Sequence, residues 1–388
     1  MSGGSRQTDG ARDRDLPAAP APRRRRTARG VALLLVLGVV VLASVVGMSY
    51  VATASIRLEV SRNNLMACRA RYLAESGTQH GIYLLRAHPE LLAGRTSLDT
   101  ALGPYFADGS DHWYKVYAVP DGDNPLIQTA YGYGGMSEAR QRAGCRIRLY
   151  SKYVNQVRSY GVTAYWRLGD KSGKARDEMD ANDGKYKGGV NRGMPGAIVG
   201  DADASAGFDG QRARVELKDK LDAPSPSSMT IAAWIKPDDF AVTDTRIIAK
   251  ANGTRLQDTW WSLGVTSVQG NPVLSCQLKV NGNTIELIGR TQVLQAGQWA
   301  FAAMTFDGWR LRLYKDGQSV GSALAIGGIS RDDHVKVWIG DNPPDKGSRP
   351  FHGQIDEVAM FHRVLGATEI QALHKGRAAS VDVLSWEE

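Results

Sequence analysis

Trp299-Ala-Phe-Ala-Ala-Met-Thr-Phe306, then Asp307-Gly308, then Trp309-Arg-Leu-Arg-Leu-Tyr314, is the stretch on which the fold turns. Two strand-like runs flank an Asp-Gly pair, and both residues of that pair tolerate the positive φ that a tight hairpin requires. On the second run Arg310 and Arg312 alternate with Leu311 and Leu313, giving one wet and one apolar face. The same unit occurs upstream, where Val273-Leu-Ser-Cys-Gln-Leu-Lys-Val280 and Thr284-Ile-Glu-Leu-Ile288 flank Asn281-Gly282. Met229–Ile235, Trp260–Val265, Val335–Ile339 and Gln354–Phe361 are further runs of this kind. Short, evenly spaced strands without helical patterns between them predict an antiparallel two-sheet sandwich over residues 159–377. A short helix, Ala367–His374, follows Gly366, and residues 378–388 read as a tail.

Outward from the sandwich, residues 89–158 hold three more strand-like runs: Trp113–Val119, Leu126–Tyr133 and Ala139–Tyr150. Asp121-Gly122 and Gly134-Gly135 supply turns, so a small antiparallel meander is expected. Cys145, Ile147 and Leu149 alternate with Gly144, Arg146 and Arg148, as in a strand with one wet face.

Between Arg29 and Arg57 there is no charged residue, and the run from Gly30 to Ile56 is long enough to span a bilayer. Arg23, Arg24, Arg25, Arg26 and Arg29 precede it, which places residues 1–29, a disordered leader, on the cytoplasmic side. The expectation is a single-pass protein of the inner (cytoplasmic) membrane whose C-terminal region is periplasmic or extracellular. Ala52-Thr53-Ala54 fits a signal-peptidase site, but the apolar run exceeds a signal peptide's core. Helical spacing continues to residue 88, and Pro89 ends it. Small residues at Ala67, Ala70, Ala74, Gly77 and Gly81 form one stripe, which would let another helix approach closely. The alternative is a helix packed on its own domain.

At 388 residues, two folded units plus the membrane segment are expected. The formal charge of +8 derives partly from the arginine-rich leader. No stretch interleaves Lys or Arg with aromatics, so nucleic acid is not expected as a partner. Cys68, Cys145 and Cys276 lie far apart with no CxxC, which excludes zinc and redox motifs; a Cys68–Cys145 disulfide and small buried cysteines are the two readings. No nucleophile elbow, His-Glu-x-x-His motif or phosphate loop is present.

Arg29-Gly30 followed by Val31-Ala-Leu-Leu-Leu-Val36, with the charged helix through Arg71-Tyr-Leu-Ala-Glu-Ser-Gly77, resembles the start of type IV pilins and pseudopilins. Within that family the minor pilins and the K-type general-secretion subunits are the most similar. The resemblance implies cleavage after Gly30, Val31 as the mature N-terminus, and bundling with other pilin-like subunits. The family's usual Glu at the fifth mature residue is Leu35 here, which favours a tip or minor role. A second resemblance rests on Ala164-Tyr-Trp-Arg-Leu-Gly-Asp170, Phe208-Asp-Gly210, Ile231-Ala-Ala-Trp-Ile-Lys-Pro237, Leu313-Tyr-Lys-Asp-Gly317 and Gly353-Gln-Ile-Asp-Glu-Val-Ala-Met-Phe361. These are similar to laminin G-like, concanavalin A-like jelly-roll modules. Together they imply an α+β chain: an N-terminal transmembrane helix, a small antiparallel meander, then an all-β jelly-roll sandwich that recognises glycan or protein. The alternatives are a single-pass anchored lectin or adhesin without a filament role and, from another class, a glycoside hydrolase.

Glycan-cleaving enzymes place two carboxylates around the scissile bond. Asp356 and Glu357 are adjacent, so on a regular strand they face opposite sides, and no enzyme is expected. Calcium is the cofactor that hard oxygen donors would suit, with Asp170, Asp209 and Asp356 as candidate ligands; the alternative is that each satisfies turn amides. Trp260, Trp261 and Trp309 are candidates for ligand contact. Trp260 and Trp261 must point to opposite faces, so one of them belongs to the core. Trp166, Trp234, Trp299 and Trp338 are expected in the core.

Overall fold

The computed structural model describes residues 27–107, 111–122, 124–217, 221–222 and 228–387. The expected leader through Arg26 lies outside them. The first element, α1 (Thr27–Ala87), is a single helix of 61 residues. It contains no proline, and Pro89 follows its end within a short 3-10 turn, Pro89–Leu91. From Gly30 it is long and apolar enough to cross a membrane, and Leu33, Leu34, Val39 and Leu42 are exposed. A membrane anchor and a signal sequence both present such a helix. The chain divides into two compact units at Leu65/Met66.

Within the second unit, the rest of α1 lies on a sheet made of β1 (Leu102–Phe106), β2 (His112–Asp121), β3 (Asn124–Met136) and β4 (Ala139–Tyr150). Ala70 and Ala74 are fully buried there. The sheet meets them with glycine: a β-carbon on Gly132 would lie 1.9 Å from the Ala74 carbonyl oxygen, and one on Gly134 would lie 2.2 Å from that of Ala70. Small residues on both partners let helix and sheet backbones touch. Thr78 fastens the contact, donating to the Ala143 carbonyl (2.9 Å) and accepting the Gly132 N–H (3.1 Å).

Two expectations are corrected here. The stripe of Ala67, Ala70, Ala74, Gly77 and Gly81 is not held open for a second helix. Ala70, Ala74, Gly77 and Gly81 are buried and Ala67 is half-buried, and the contacts of Gly77 and Gly81 are with the chain's own sheet. Gly134-Gly135 is not a turn: both lie inside β3, because the helix needs that backbone bare, and the chain turns instead at Ser137 (φ 52°). Of the two readings of the cysteines, small buried residues holds for Cys145 and Cys276, while Cys68 is free and exposed. The alternation in β4 holds, with Cys145, Ile147 and Leu149 at 0, 0 and 4% exposure.

After α2 (Tyr153–Ser159) the chain builds the sandwich. Its strands are β5 (Ala164–Trp166), β6 (Lys185–Lys187), β7 (Asn191–Pro195), β8 (Ala204–Asp209), β9 (Arg214–Glu216), β10 (Met229–Pro237), β11 (Asp244–Ala251), β12 (Thr259–Val268), β13 (Asn271–Val280), β14 (Asn283–Ile288), β15 (Ala300–Phe306), β16 (Arg310–Lys315), β17 (Gln318–Leu324), β18 (Val337–Ile339) and β19 (His352–Phe361). One sheet runs β17-β16-β15-β10-β19-β8-β7, with β5 on β19; the other runs β14-β13-β12-β11-β18-β9-β6. Their facing sides enclose a core that includes Trp166, Phe208, Trp261, Phe306 and Met360. The outer side of the first sheet is covered by α2 and by α3 (Ala367–Lys375) through Tyr153, Trp234, Phe301, Ile370 and Leu373. Of the tryptophans expected in the core, Trp166 lies between the sheets and Trp234 in the outer layer, Trp299 packs half-buried against that layer, and Trp338 is buried on the outer side of the second sheet.

The expected tail is a strand. β20 (Ser380–Glu387) pairs antiparallel with β4 and completes the helix-bearing sheet as its fifth strand. The sandwich is therefore an excursion between two neighbouring strands of one sheet. Val199 and Ala379 join the core beneath α1, and the Arg377 guanidinium donates to the Ala87 carbonyl (3.1 Å).

Candidate functional site

Alternation sends Leu263, Leu278 and Ile339 into the sandwich core and leaves their strand neighbours on the outer face of the second sheet. The pairing registers then align Glu286, Gln277, Ser262, Ala249, Trp338 and Glu216 in one row across β14, β13, β12, β11, β18 and β9. The Gln277 amide donates to Glu286 (2.8 Å), and Ser262 lies 3.4 Å from the Gln277 carbonyl oxygen. Arg246, which pairs with Asp244, reaches the same Gln277 oxygen at 3.5 Å. Arg214 lies 4.6 Å over the Trp338 ring. This half of the face is buried. Two loops are tied together by Asn342 donating to Gly253 (2.8 Å) and Arg349 donating to Thr254 (2.7 Å), while buried Asp341 accepts the N–H groups of Asn342, Gly347 and Arg349.

At the β14 end the face opens. β14 is the edge of one sheet and β17 the edge of the other, and the segment after β14 is pinned between them by Gly289 N–H to Leu274 and Arg290 N–H to Val320. A cleft of about 760 Å³ results. Its polar lining includes Asn271, Glu286, Arg290 and Thr291, and Val273 and Ile288 are among its apolar walls. A few directed polar groups over an apolar lining are what orients a small ligand. Among its described lining residues Glu286 is the sole carboxylate.

None of the three tryptophans expected at a ligand lines this cleft. Trp261 is 1% exposed and belongs to the core, which corrects its place among the ligand residues. Trp260 faces the other way, half-buried, with the Lys279 ammonium 4.0 Å from its ring. The expected opposition of this pair therefore holds. Trp309 is 66% exposed beside the Asp307-Gly308 turn, whose Asp307 accepts the N–H groups of Trp309 and Arg310. Glu286 and Arg290 escaped the sequence reading. The only signal was Glu286 alternating outward in Thr284-Ile-Glu-Leu-Ile288.

The three aspartates do not form a calcium cage. Asp209 spends one oxygen on the N–H groups of Gln211, Arg212 and Ala213, which hold its carboxyl below the usual range despite partial burial. Asp170 accepts the Arg176 N–H and the Tyr186 hydroxyl, and Asp356 accepts the Ala197 N–H (2.7 Å). Asp209 stands at the far end of β8 from Asp203, the neighbour that Asp170 and Asp356 share. Among the described residues no three His, Cys, Asp or Glu side chains are placed to hold a metal ion.

Asp356 and Glu357 do not face opposite sides. Ala232 pairs with Ala359 while Trp234 pairs with Asp356, so β19 carries one extra residue, and Glu357 takes φ 53°. This bulge turns both carboxylates to the outer face. Glu357 accepts from Tyr165 and from Arg167 (3.0 Å), and Arg167 also pairs with Asp201 (2.8 Å) and Asp203 (3.2 Å). Burial pushes Asp356 up to about 8 and Glu357 well above the carboxylate range. At 2 and 1% exposure neither borders the cleft. Gly30 and Val31 lie on the exposed part of α1.

Residues 209–371 match the Laminin_G_3 family model, described as the concanavalin A-like lectin/glucanases superfamily. The C-terminal sandwich is a domain of this lectin/glucanase type. A comparison with curated proteins gave no match. Solved structures similar to the chain include domain 4 of AbnA, a GH43 extracellular arabinanase from Geobacillus stearothermophilus in complex with arabinotriose (18% identity, TM-score 0.43, 55% of this chain and 98% of that one). The binding domain of Paraclostridial Mosquitocidal Protein 1 (17% identity, TM-score 0.43, 54% and 51%) is another. A third is the binding domain of botulinum neurotoxin serotype D (12% identity, TM-score 0.43, 57% and 53%). The chain spans about half the length of each of these two toxin domains.

Proposed function

We propose that this protein is a membrane-anchored, minor pilin-like subunit whose sandwich binds a carbohydrate in the cleft between β14 and β17. The observation that carries the binding reading is the cleft itself: open, of ligand size, polar at Glu286 and Arg290, apolar at Val273 and Ile288. With a single carboxylate it lacks the pair that glycoside hydrolysis uses, which favours recognition over cleavage. The pilin-like reading is supported by one unbroken helix whose first part is apolar and exposed and whose last turns rest on a small antiparallel sheet. On this reading α1 sits in the inner membrane with the sandwich outside it.

A glycan array probed with the detergent-solubilised full chain, with and without calcium, tests the first part. Binding lost on Glu286→Gln supports the cleft; product released from a bound polysaccharide would replace binding with hydrolysis. N-terminal sequencing of membrane-extracted protein tests the second. Val31 as first residue supports the pilin pathway, and processing at Ala54 overturns it.

A further inference from the structure

The helix-bearing sheet has a second face, turned away from α1. Because alternate residues share a face, the registers place Trp113, Lys115 and Tyr117 of β2 beside Gly135, Tyr133 and Tyr131 of β3. Those in turn stand beside Arg140, Arg142 and Gly144 of β4, and Arg146 and Arg148 continue the row along β4. On β2 Lys115 stands between Trp113 and Tyr117, and β4 sets four arginines alongside, so the strands together place cations among aromatics, which the nucleic-acid expectation did not foresee. The Arg140 guanidinium lies 5.2 Å over the Trp113 ring, and that of Arg142 lies 5.2 Å over Tyr131. Tyr117 and Tyr131 stack at 5.0 Å, and Trp113 and Tyr133 lie 6.1 Å apart. Among the described residues Asp121, Glu387 and Asp382 share the face. Asp121 is paired with Arg146, Glu387 accepts the Tyr131 hydroxyl (2.7 Å), and Asp382 stands opposite Arg148. Arg140, Arg142 and Arg148 are exposed.

We propose that this face binds single-stranded nucleic acid. Charge complementarity requires an anionic partner, and the aromatic and guanidinium planes select which one. Unpaired bases stack on aromatic rings and on arginine planes while phosphates meet the cations. A duplex hides its base faces, and an acidic polysaccharide has none to stack. The site is separate from the carbohydrate cleft and does not depend on it.

The test is fluorescence anisotropy of a labelled oligothymidylate titrated with the detergent-solubilised full chain over a salt series. Wild type binds with a steep salt dependence. Arg142→Glu with Arg148→Glu weakens binding by at least about tenfold, and loss of two phosphate contacts flattens the log–log salt slope by about 1.4. Arg142→Lys with Arg148→Lys keeps the charge and the slope, which guards against a folding artefact. Tyr133→Leu weakens binding about tenfold with the slope unchanged, the signature of a lost stacking surface. The proposal is overturned by no binding of the oligonucleotide, by equal affinity for the matched duplex, by tighter binding of alginate, or by a Tyr133→Leu variant that binds like wild type.

Discussion

Gly132 lies directly beneath Ala74, so close that a β-carbon on the glycine would stand 1.9 Å from the Ala74 carbonyl oxygen. Neither partner can grow without separating helix from sheet. Gly132→Ala is therefore expected to destabilise the unit by about 1–3 kcal/mol or more, as overpacking does. Exposed Ser76→Ala on the same helix should stay within about 0.5 kcal/mol. Thermal unfolding of both variants in detergent checks the contrast.

Asp356 carries a pH signature. Its carboxyl is raised by burial to about 8 in the folded chain, against 3.8 ordinarily. Between those values the folded state keeps a proton that the unfolded state has released. Stability contributed by this group is therefore full in acid and is lost as pH rises toward about 8, at up to about 1.4 kcal/mol per pH unit. Glu357 is shifted in the same direction by the same cause. Asp356→Asn, which mimics the protonated acid, should flatten the decline. Denaturation midpoints from pH 5 to 8.5 would count against this if the two profiles ran parallel.

Lys250 and Asp222 form a buried ion pair at 2.7 Å, with side chains 0 and 9% exposed. Asp222 also accepts the Asp332 N–H (3.2 Å). Asp222→Ala leaves a buried ammonium without this partner and is expected to cost about 3–5 kcal/mol. Lys250→Met combined with Asp222→Leu removes both charges and should cost clearly less. Urea midpoints for the single and double variants decide whether the charge imbalance, rather than lost volume, is responsible.

In the cleft, Glu286 is held by the Gln277 amide at 2.8 Å. Glu286→Gln and Arg290→Ala should each reduce carbohydrate binding about tenfold or more while leaving the melting temperature within a degree or two, since both lie at the opening. Trp309→Ala, outside the cleft, should leave carbohydrate binding unchanged. A binding loss confined to Trp309 would move the site to the exposed turn.

Much of this was legible in the chain. Asp307-Gly308 and Asn281-Gly282 announced two hairpins, and both sit where predicted, because turn chemistry and period-two alternation are local properties. The apolar run from Gly30 and the break at Pro89 bounded α1 for the same reason. The site was much less legible. Glu286 and Arg290 carry no motif; they matter only because the edges of two sheets diverge beside them.

The sequence by itself determined the long helix, the hairpins at Asn281-Gly282 and Asp307-Gly308, and the alternating faces of regular strands such as β4. Neighbours in the chain decide those things. Tertiary structure alone decided that residues 380–387 return to β4, that Gly134 is a floor for Ala70 rather than a turn, and that a bulge at Glu357 brings two carboxylates to one side. It also decided that arginines of β4 lie over aromatics of β2 and β3. Each of these depends on pairing between residues remote in sequence, and an extra residue in one strand is visible only against the strand it pairs with.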